Sequence, residues 1–270
     1  MTQYKSLTVE ISDHIAAVTL IGPGRGNAMG PDFWAEMAPA FAALDRDDSV
    51  RVVLLRGSGK HFSYGLDLMG MMGVLGQHIM GPKMADDRAK LLTMINEMQQ
   101  AVTAVADCRK PVIAAIDGWC IGGGLDLVAA CDVRICSAAA KFSLREIRLA
   151  IVADIGSLQR LPPIIGQGHT RQLAFTGEDI DAERALSIGL VNDVYPDAEA
   201  LHTAARAMAT RIAASSPVTV RGIKQVLDYC ADKSIKDGLQ YVALWNTAFL
   251  QSDDLAEAIS AFMERREPVF

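Results

Sequence analysis

Residues Pro111 to Asp132 read PVIAAIDGWCIGGGLDLVAACD. Pro111 to Ile116 is a short apolar run closed by Asp117 and Gly118, the pattern of a buried strand ending in a turn. Three consecutive glycines follow, Gly122 to Gly124, and then an apolar segment of helical character. Without a Cβ at Gly122, Gly123 and Gly124, a ligand oxygen can approach main-chain N–H groups at a helix start, where the dipole favours negative charge. The same glycines also suit a tight strand-to-helix turn that holds no ligand. Either way, the segment sets a strand beside a helix.

Outward from this unit, apolar runs that stop at glycine or polar turns recur at Ala16 to Leu20, Val50 to Leu55, Asp132 to Cys136 and Gly189 to Tyr195. Each is a predicted strand. Between them Leu91, Ile95, Met98, Val102 and Val105 fall near one face at the helical period. Alternation of strands with helices predicts an α/β layered core. After about residue 198 the strand signals stop, and Glu199 to Ala213, Thr219 to Tyr229 and Asp253 to Glu264 carry one-sided apolar stripes. The expected division is a core of residues 1–198 and a helical region of residues 199–270 that packs on the core or on another subunit. Leu68 to Met84 is rich in Met and Gly, with Met69, Met71, Met72, Met80 and Met84, and lacks a clean period. It reads either as an adaptable wall for an apolar ligand chain or as a mobile loop whose methionines pack on the core.

At 270 residues the chain can bury a large core without disulfides or metal. A formal charge of −6 with no dense Lys/Arg cluster argues against a nucleic-acid partner. A few local cations and backbone N–H groups still suffice for a polyanionic ligand. Cys108, Cys120, Cys131, Cys136 and Cys230 are an odd number without a C-x-x-C pair, the pattern of reduced core thiols. No stretch reaches membrane-spanning length, and Met1 to His14 alternates like a strand and carries acids, unlike a signal or transit peptide. A soluble cytoplasmic protein with no membrane partner is the expectation. His14, His61, His78, His169 and His202 show no ligand spacing, and neither a G-x-S-x-G elbow nor a P-loop occurs, so no metal site is expected.

Two further signals carry chemistry. His61 to Leu68, HFSYGLDL, follows the strand at Val50 to Leu55 and the turn Gly57, Ser58, Gly59. One N–H from this loop and one from the glycine turn, converging on one oxygen, would make an oxyanion hole, the largest single catalytic device for enolate chemistry. Downstream lie three carboxylates in apolar surroundings: Asp126, Glu146 in KFSLREIRL and Asp154 in AIVADIGSLQRLP. Neighbouring buried acids push one another's pKa values apart, so that one accepts a proton while another donates. Taken singly each has a structural reading: Asp126 as a first-turn helix acid, Glu146 paired with Arg145 or Arg148, and Asp154 capping the next helix.

GNAM at 26–29, FSYGLDL at 62–68, AAIDGWCIGGGLDL at 114–127, LQRLPPIIG at 158–166 and FMERR at 262–266 settle the balance. With these segments in this order, from roughly Leu7 to the C-terminus, the chain resembles the crotonase (enoyl-CoA hydratase/isomerase) superfamily. The resemblance implies a spiral core of ββα repeats with a C-terminal helical trimerisation region, assembled as a homotrimer or homohexamer. It implies an acyl-CoA substrate, with coenzyme A part of that substrate and no separate cofactor. The family's oxyanion hole falls on the N–H groups of Leu66 and Gly123, with Tyr64, Gly65, Asp67 and Leu68 lining the thioester. Its CoA contacts fall around Gly26 and Ala28, where GPGRGNAM replaces the usual R-P-K-x-x-N-A, and Arg265 matches a basic position directed at the CoA phosphate.

Hydratases of the family have glutamates at the positions of Asp126 and Glu146 and a glycine at Asp154. An Asp, Glu, Asp set instead resembles the dienoyl-CoA isomerase branch, as do CIGGGLDL and ADIGSLQRLP. The implied reaction is conversion of 3,5-dienoyl-CoA to 2,4-dienoyl-CoA, of the fatty-acid oxidation type. Glu146 would serve C2, Asp154 would serve C6 and Asp126 would tune Glu146, with the reversed order of the two proton transfers left open. The rival activity is enoyl-CoA hydration by Asp126 and Glu146 with Asp154 structural. A non-catalytic CoA- or RNA-binding relative is the rival of another class, and the acidic charge and retained carboxylates argue against it.

Overall fold

The computed structural model describes residues 3–24, 26–79 and 83–270. In chain order the first elements are β1 (Leu7–Ser12), β2 (Ile15–Leu20), α1 (Pro31–Arg46), β3 (Val52–Gly57), α2 (Leu68–Ile79) and α3 (Met84–Ala106). Next come β4 (Val112–Ile116), β5 (Trp119–Ile121), α4 (Gly123–Ala129), β6 (Val133–Ser137), β7 (Lys141–Ser143) and a 3₁₀ turn at Glu146–Leu149. Then follow α5 (Ser157–Thr176), β8 (Asp179–Asp181), α6 (Ala182–Ser187) and β9 (Asp193–Tyr195). The chain closes with α7 (Ala198–Ala213), α8 (Pro217–Cys230), α9 (Ile235–Phe249) and α10 (Asp253–Glu264).

Six strands form the main sheet in the order β1, β2, β3, β4, β6, β9, antiparallel at β1/β2 and parallel elsewhere. Parallel strands buried on both faces need continuous apolar sequence, which VVLL in β3 and VIAAI in β4 supply. One face, with Val53, Leu55, Ala114 and Ile116, packs on Phe41, Val102 and Leu125 from α1, α3 and α4. On the other, Val52, Leu54, Ile113 and Ile135 meet Leu201, Ala205, Ala209 and Ala213 of α7. Each sheet face therefore has its own helical cover.

A strand pair followed by a helix is repeated along the chain. After β4 the short β5 leads into α4, and after β6 the short β7 leads towards α5. β5 and β7 pair in parallel, β8 adds to β7, and Ser63 bridges Cys120, so the second strands of successive repeats stack beside the main sheet. That stacking brings the loops 63–67 and 119–123 side by side, and the site lies there.

The structure departs from the sequence expectations in four elements. Leu68 to Ile79, expected to be aperiodic, is helix α2, because apolar residues on several faces blur a helical period even where the helix forms; Met80 lies outside the described residues. The expected strand at Gly189 to Tyr195 is ordered as β only over Asp193–Tyr195, since Gly189 takes φ 79° and turns the chain first. Helix α9 carries no expectation in the sequence reading, and α5 runs through Pro162 and Pro163 with a break at Gly166, φ 80°. All five cysteines are free and four are buried, with burial pushing the Cys131 and Cys136 thiols up to about 12.

Candidate active site

Asn27 fixes the entrance. Its buried side-chain amide donates to the carbonyl oxygens of Ser58, His61 and Phe62 at 3.0, 2.8 and 3.1 Å, and its own amide oxygen accepts from the Ser58 hydroxyl. Its φ of 48° is a left-handed conformation that asparagine tolerates better than most residues. With that turn fixed, residues 26–29 run alongside 64–67: Tyr64 N–H donates to Gly26 O, Met29 N–H to Gly65 O and Asp67 N–H to Met29 O. On the opposite side Ser63 N–H donates to Trp119 O and Ile121 N–H to Ser63 O, both at 3.0 Å. The loop is thus clamped from both flanks, as a preorganised donor must be.

Gly65, φ 75°, permits the closest approach. A Cβ there would lie 2.7 Å from Ile121 O and 2.8 Å from the Gly123 nitrogen. One built on Gly123 would sit 3.8 Å from the Leu66 nitrogen. The Leu66 and Gly123 N–H groups therefore adjoin, and neither donates to an acceptor among the described residues. They border a cavity of about 340 Å³ whose lining includes Tyr64, Leu66, Leu68, Gly122, Gly123, Asp126, Glu146 and Asp154.

The three carboxylates meet in this cavity. Arg145 and Arg148 both turn away from Glu146 to Asp179, at 2.8 and 3.2 Å, and the Arg145 guanidinium lies 4.6 Å from the centre of the Trp119 ring. Glu146 is left with one buried oxygen, Oε2, that lacks a hydrogen-bond partner among the described residues, while Oε1 faces Gly122. Burial, with the charges of Asp126 and Asp154 adding to it, pushes Glu146 up to about 7. Asp154 does not cap α5, whose N-cap is Gly156 with no side-chain bond; burial raises its pKa too. Asp126 is in the first turn of α4, yet its carboxylate accepts the Ser157 N–H and so ties α4 to the start of α5. Burial pushes it up to about 6, against the pull of Ser157.

Other candidates are placed differently. Asp67 lines no part of this cavity; its carboxylate accepts from Gly70 N–H and caps α2. Gly26 lies under the Tyr64 ring, and Gly26 and Ala28 stand outside the cavity lining. Arg265 caps α10 in a left-handed conformation, and nothing from α10 lines the cavity in the single chain. Sequence reasoning missed Trp34, Met98 and Ile121, which supply apolar wall. Met98 was legible as a member of the α3 stripe, but no local pattern announced that Trp34 faces inward. Among the described residues no group of His, Cys, Asp or Glu is arranged to hold a metal, and no helix is long and apolar enough to cross a membrane.

Residues 10–270 match the family model described as enoyl-CoA hydratase/isomerase. Among curated proteins the chain is 42% identical to a mitochondrial delta(3,5)-delta(2,4)-dienoyl-CoA isomerase of Dictyostelium discoideum, over 100% of this chain and 92% of that one. It is also 42% identical to a peroxisomal protein of the same name from Arabidopsis thaliana, over 100% and 98%. A (E)-benzylidenesuccinyl-CoA hydratase of Thauera aromatica is 35% identical over 98% of each chain. The crystal structure of an enoyl-CoA hydratase from Bacillus anthracis superposes with a TM-score of 0.89 at 29% identity, covering 98% of this chain and 99% of that one, so the fold is that of the crotonases. The expected cytoplasmic location is overturned by the two isomerases, which are mitochondrial and peroxisomal. Composition misled because buried reduced thiols and an acidic balance suit an organelle interior as well as the cytosol. With the match spanning nearly all of its length, the chain belongs to the enoyl-CoA hydratase/isomerase family.

Proposed function

We propose that the protein isomerises 3,5-dienoyl-CoA to 2,4-dienoyl-CoA. The observation that carries this reading is a third acid, Asp154, on the same cavity as Asp126 and Glu146. The identity to dienoyl-CoA isomerases over the whole chain supports it.

In this reading the thioester oxygen accepts from the Leu66 and Gly123 N–H groups. Glu146, whose carboxylate faces Gly122 beside that hole, removes the C2 proton. The electron pair delocalises through the diene onto the thioester oxygen, and preorganised donors stabilise the charge where it develops. Asp154 in its acid form delivers a proton to C6, leaving double bonds at C2 and C4. Each turnover ends with Glu146 protonated and Asp154 ionised, so a proton must return between them or exchange with solvent. Asp126 tunes Glu146 by its charge. Coenzyme A enters as part of the substrate, with Gly26, Ala28 and Arg265 as its proposed contacts.

Exposed Leu239, Leu244, Ile259 and Phe262 on α9 and α10 support assembly as a homotrimer or a hexamer of paired trimers, with Arg265 serving a neighbouring subunit.

The test is the rise in ultraviolet absorbance as 3,5-dienoyl-CoA becomes the conjugated 2,4 isomer, run beside a hydration assay on 2-enoyl-CoA. Asp154→Asn is expected to abolish nearly all isomerisation. Full activity in that variant would remove Asp154 from the mechanism. Rapid hydration by the wild type would favour the second reading, which the hydratase relative supports: water activated by Asp126 and Glu146.

A further inference from the structure

Asp154 sits on a segment that is neither helix nor strand. It runs from the 3₁₀ turn at Glu146–Leu149 to the start of α5 at Ser157, and positive-φ residues bound it, Ala150 at φ 57° and Gly156 at φ 136°. A side chain on such a segment stays in place only where the backbone beneath it is tied down. The two ends are staked to the other acids: Ile151 N–H donates to Glu146 O at 3.1 Å, and Ser157 N–H to the Asp126 carboxylate at 2.5 Å. At the residue that carries the acid, the tie comes from α3. The Gln99 side-chain amide donates to the carbonyl oxygen of Asp154 itself at 2.6 Å. One turn further along the same face of α3, Thr103 Oγ1 accepts from the Arg160 guanidinium at 3.0 Å, and Arg160 donates a longer bond to Ile155 O at 3.4 Å. Gly156 makes room for this brace, since a Cβ there would run into the guanidinium.

We infer that Gln99 is a positioning residue: by holding the Asp154 carbonyl it fixes where the Asp154 carboxyl stands in the cavity, with Thr103 and Arg160 bracing the residue that follows. The inference rests on the isomerisation proposed above in so far as that reading gives Asp154 a proton transfer. Gln99, Thr103 and Arg160 line no part of the cavity, so they reach substrate only through Asp154 and Ile155, which do. Glu146 stands on the 3₁₀ turn and Asp126 on α4, and neither is bonded to α3 in this way. Loss of the α3 tie therefore falls on one acid of the three. The transfer at stake is steep in geometry, a misplacement of about 1 Å costing about 10²-fold in rate.

Gln99→Met keeps the length and bulk of the side chain and removes its donor, and Thr103→Val does the same to the Arg160 brace. Each is compared with the wild-type full chain on 3,5-dienoyl-CoA in heavy water. Removal of a C2 proton by Glu146 leaves a dienolate with two exits. Once Glu146 has exchanged its proton with solvent, return of deuterium to C2 gives labelled substrate, whereas delivery at C6 by Asp154 gives the 2,4 isomer. Gln99→Met should lower kcat by about tenfold to 10²-fold with KM within about twofold, while label enters C2 of recovered substrate at the wild-type rate or faster, so that exchange per turnover rises. Thr103→Val should show the same pattern to a smaller extent. Exchange and turnover falling in step, as general damage to the fold would cause, or unchanged turnover in Gln99→Met, would overturn the inference. A second readout needs no reaction. Carboxyl-carbon NMR of isotope-labelled aspartate, with the Asp154 signal assigned by its absence from Asp154→Asn, should show that group titrating above the ordinary aspartate range in the wild type and lower in Gln99→Met, as the carboxyl gains water. That shift in a protein that isomerises no dienoyl-CoA would uphold the tie and sink only the assigned reaction, and in such a protein an unmoved titration would overturn the inference.

Discussion

Glu146 has the environment of a group held near neutrality: a half-buried carboxylate whose Oε2 has no hydrogen-bond partner among the described residues, beside two other acids. Its base form is needed for C2 deprotonation and the acid form of Asp154 for delivery at C6, so kcat/KM should climb with pH through about 7 and fall again where Asp154 loses its proton. A profile flat from about pH 6 to pH 8 would rule Glu146 out as that base. The same displacement bears on stability. A carboxyl whose folded pKa is raised from 4.5 to about 7 binds a proton more readily folded than unfolded, so its contribution is present in full below about 4.5 and is lost as pH rises through about 7. Glu146→Gln removes that dependence. Denaturant unfolding should show the variant more stable than the wild type at about pH 8 by on the order of 2 kcal/mol, with the gap narrowing towards about pH 5. A constant gap would mean that the substitution acts through packing instead.

The site is built where elements meet, and Gly65 shows how little room the junction allows. Adding one methyl group at Gly65 forces its Cβ against Ile121 O and the Gly123 nitrogen, which must separate. Gly65→Ala should cut kcat by about 10²- to 10³-fold, the loss typical of one oxyanion donor, with far-UV circular dichroism unchanged. Unaltered turnover would show that the two N–H groups are not the ones that hold the oxygen. Asn27→Ala breaks the other clamp; losing its three donated bonds should cost about 2–3 kcal/mol, read as a lower denaturant midpoint. These junctions also mark how far the sequence could be read. Strands β2, β3, β4 and β6 and the glycine turn were legible because buried parallel strands leave continuous apolar runs. The placing of Asp126, Glu146 and Asp154 in one cavity follows from the stacking of β5 on β7, a long-range pairing that local pattern does not encode. Asp67 stands outside the cavity lining although Leu66 and Leu68 belong to it, because α2 begins directly after it and takes its carboxylate as a cap. Trp34 was invisible because one aromatic on an amphipathic helix looks like core packing.

At the scale of the whole molecule, α9 and α10 leave Ile235, Leu239, Leu244, Phe262 and Met263 well over half exposed. Large apolar side chains left exposed on helices in this way mark an association face. Light scattering should find a multiple of 29.0 kDa, and Leu239→Glu combined with Phe262→Glu should shift the population towards monomer. A wild-type monomer at micromolar concentration would refute the proposed assembly. The interior has a different consequence. Cys108, Cys120, Cys131 and Cys136 are sealed inside the sheet-and-helix layers, and only Cys230 is partly open. An alkylating reagent such as iodoacetamide must therefore wait for the native architecture to come apart before it modifies the other four, which makes the growth of mass in timed labelling a clock for global opening, built in without any engineered probe.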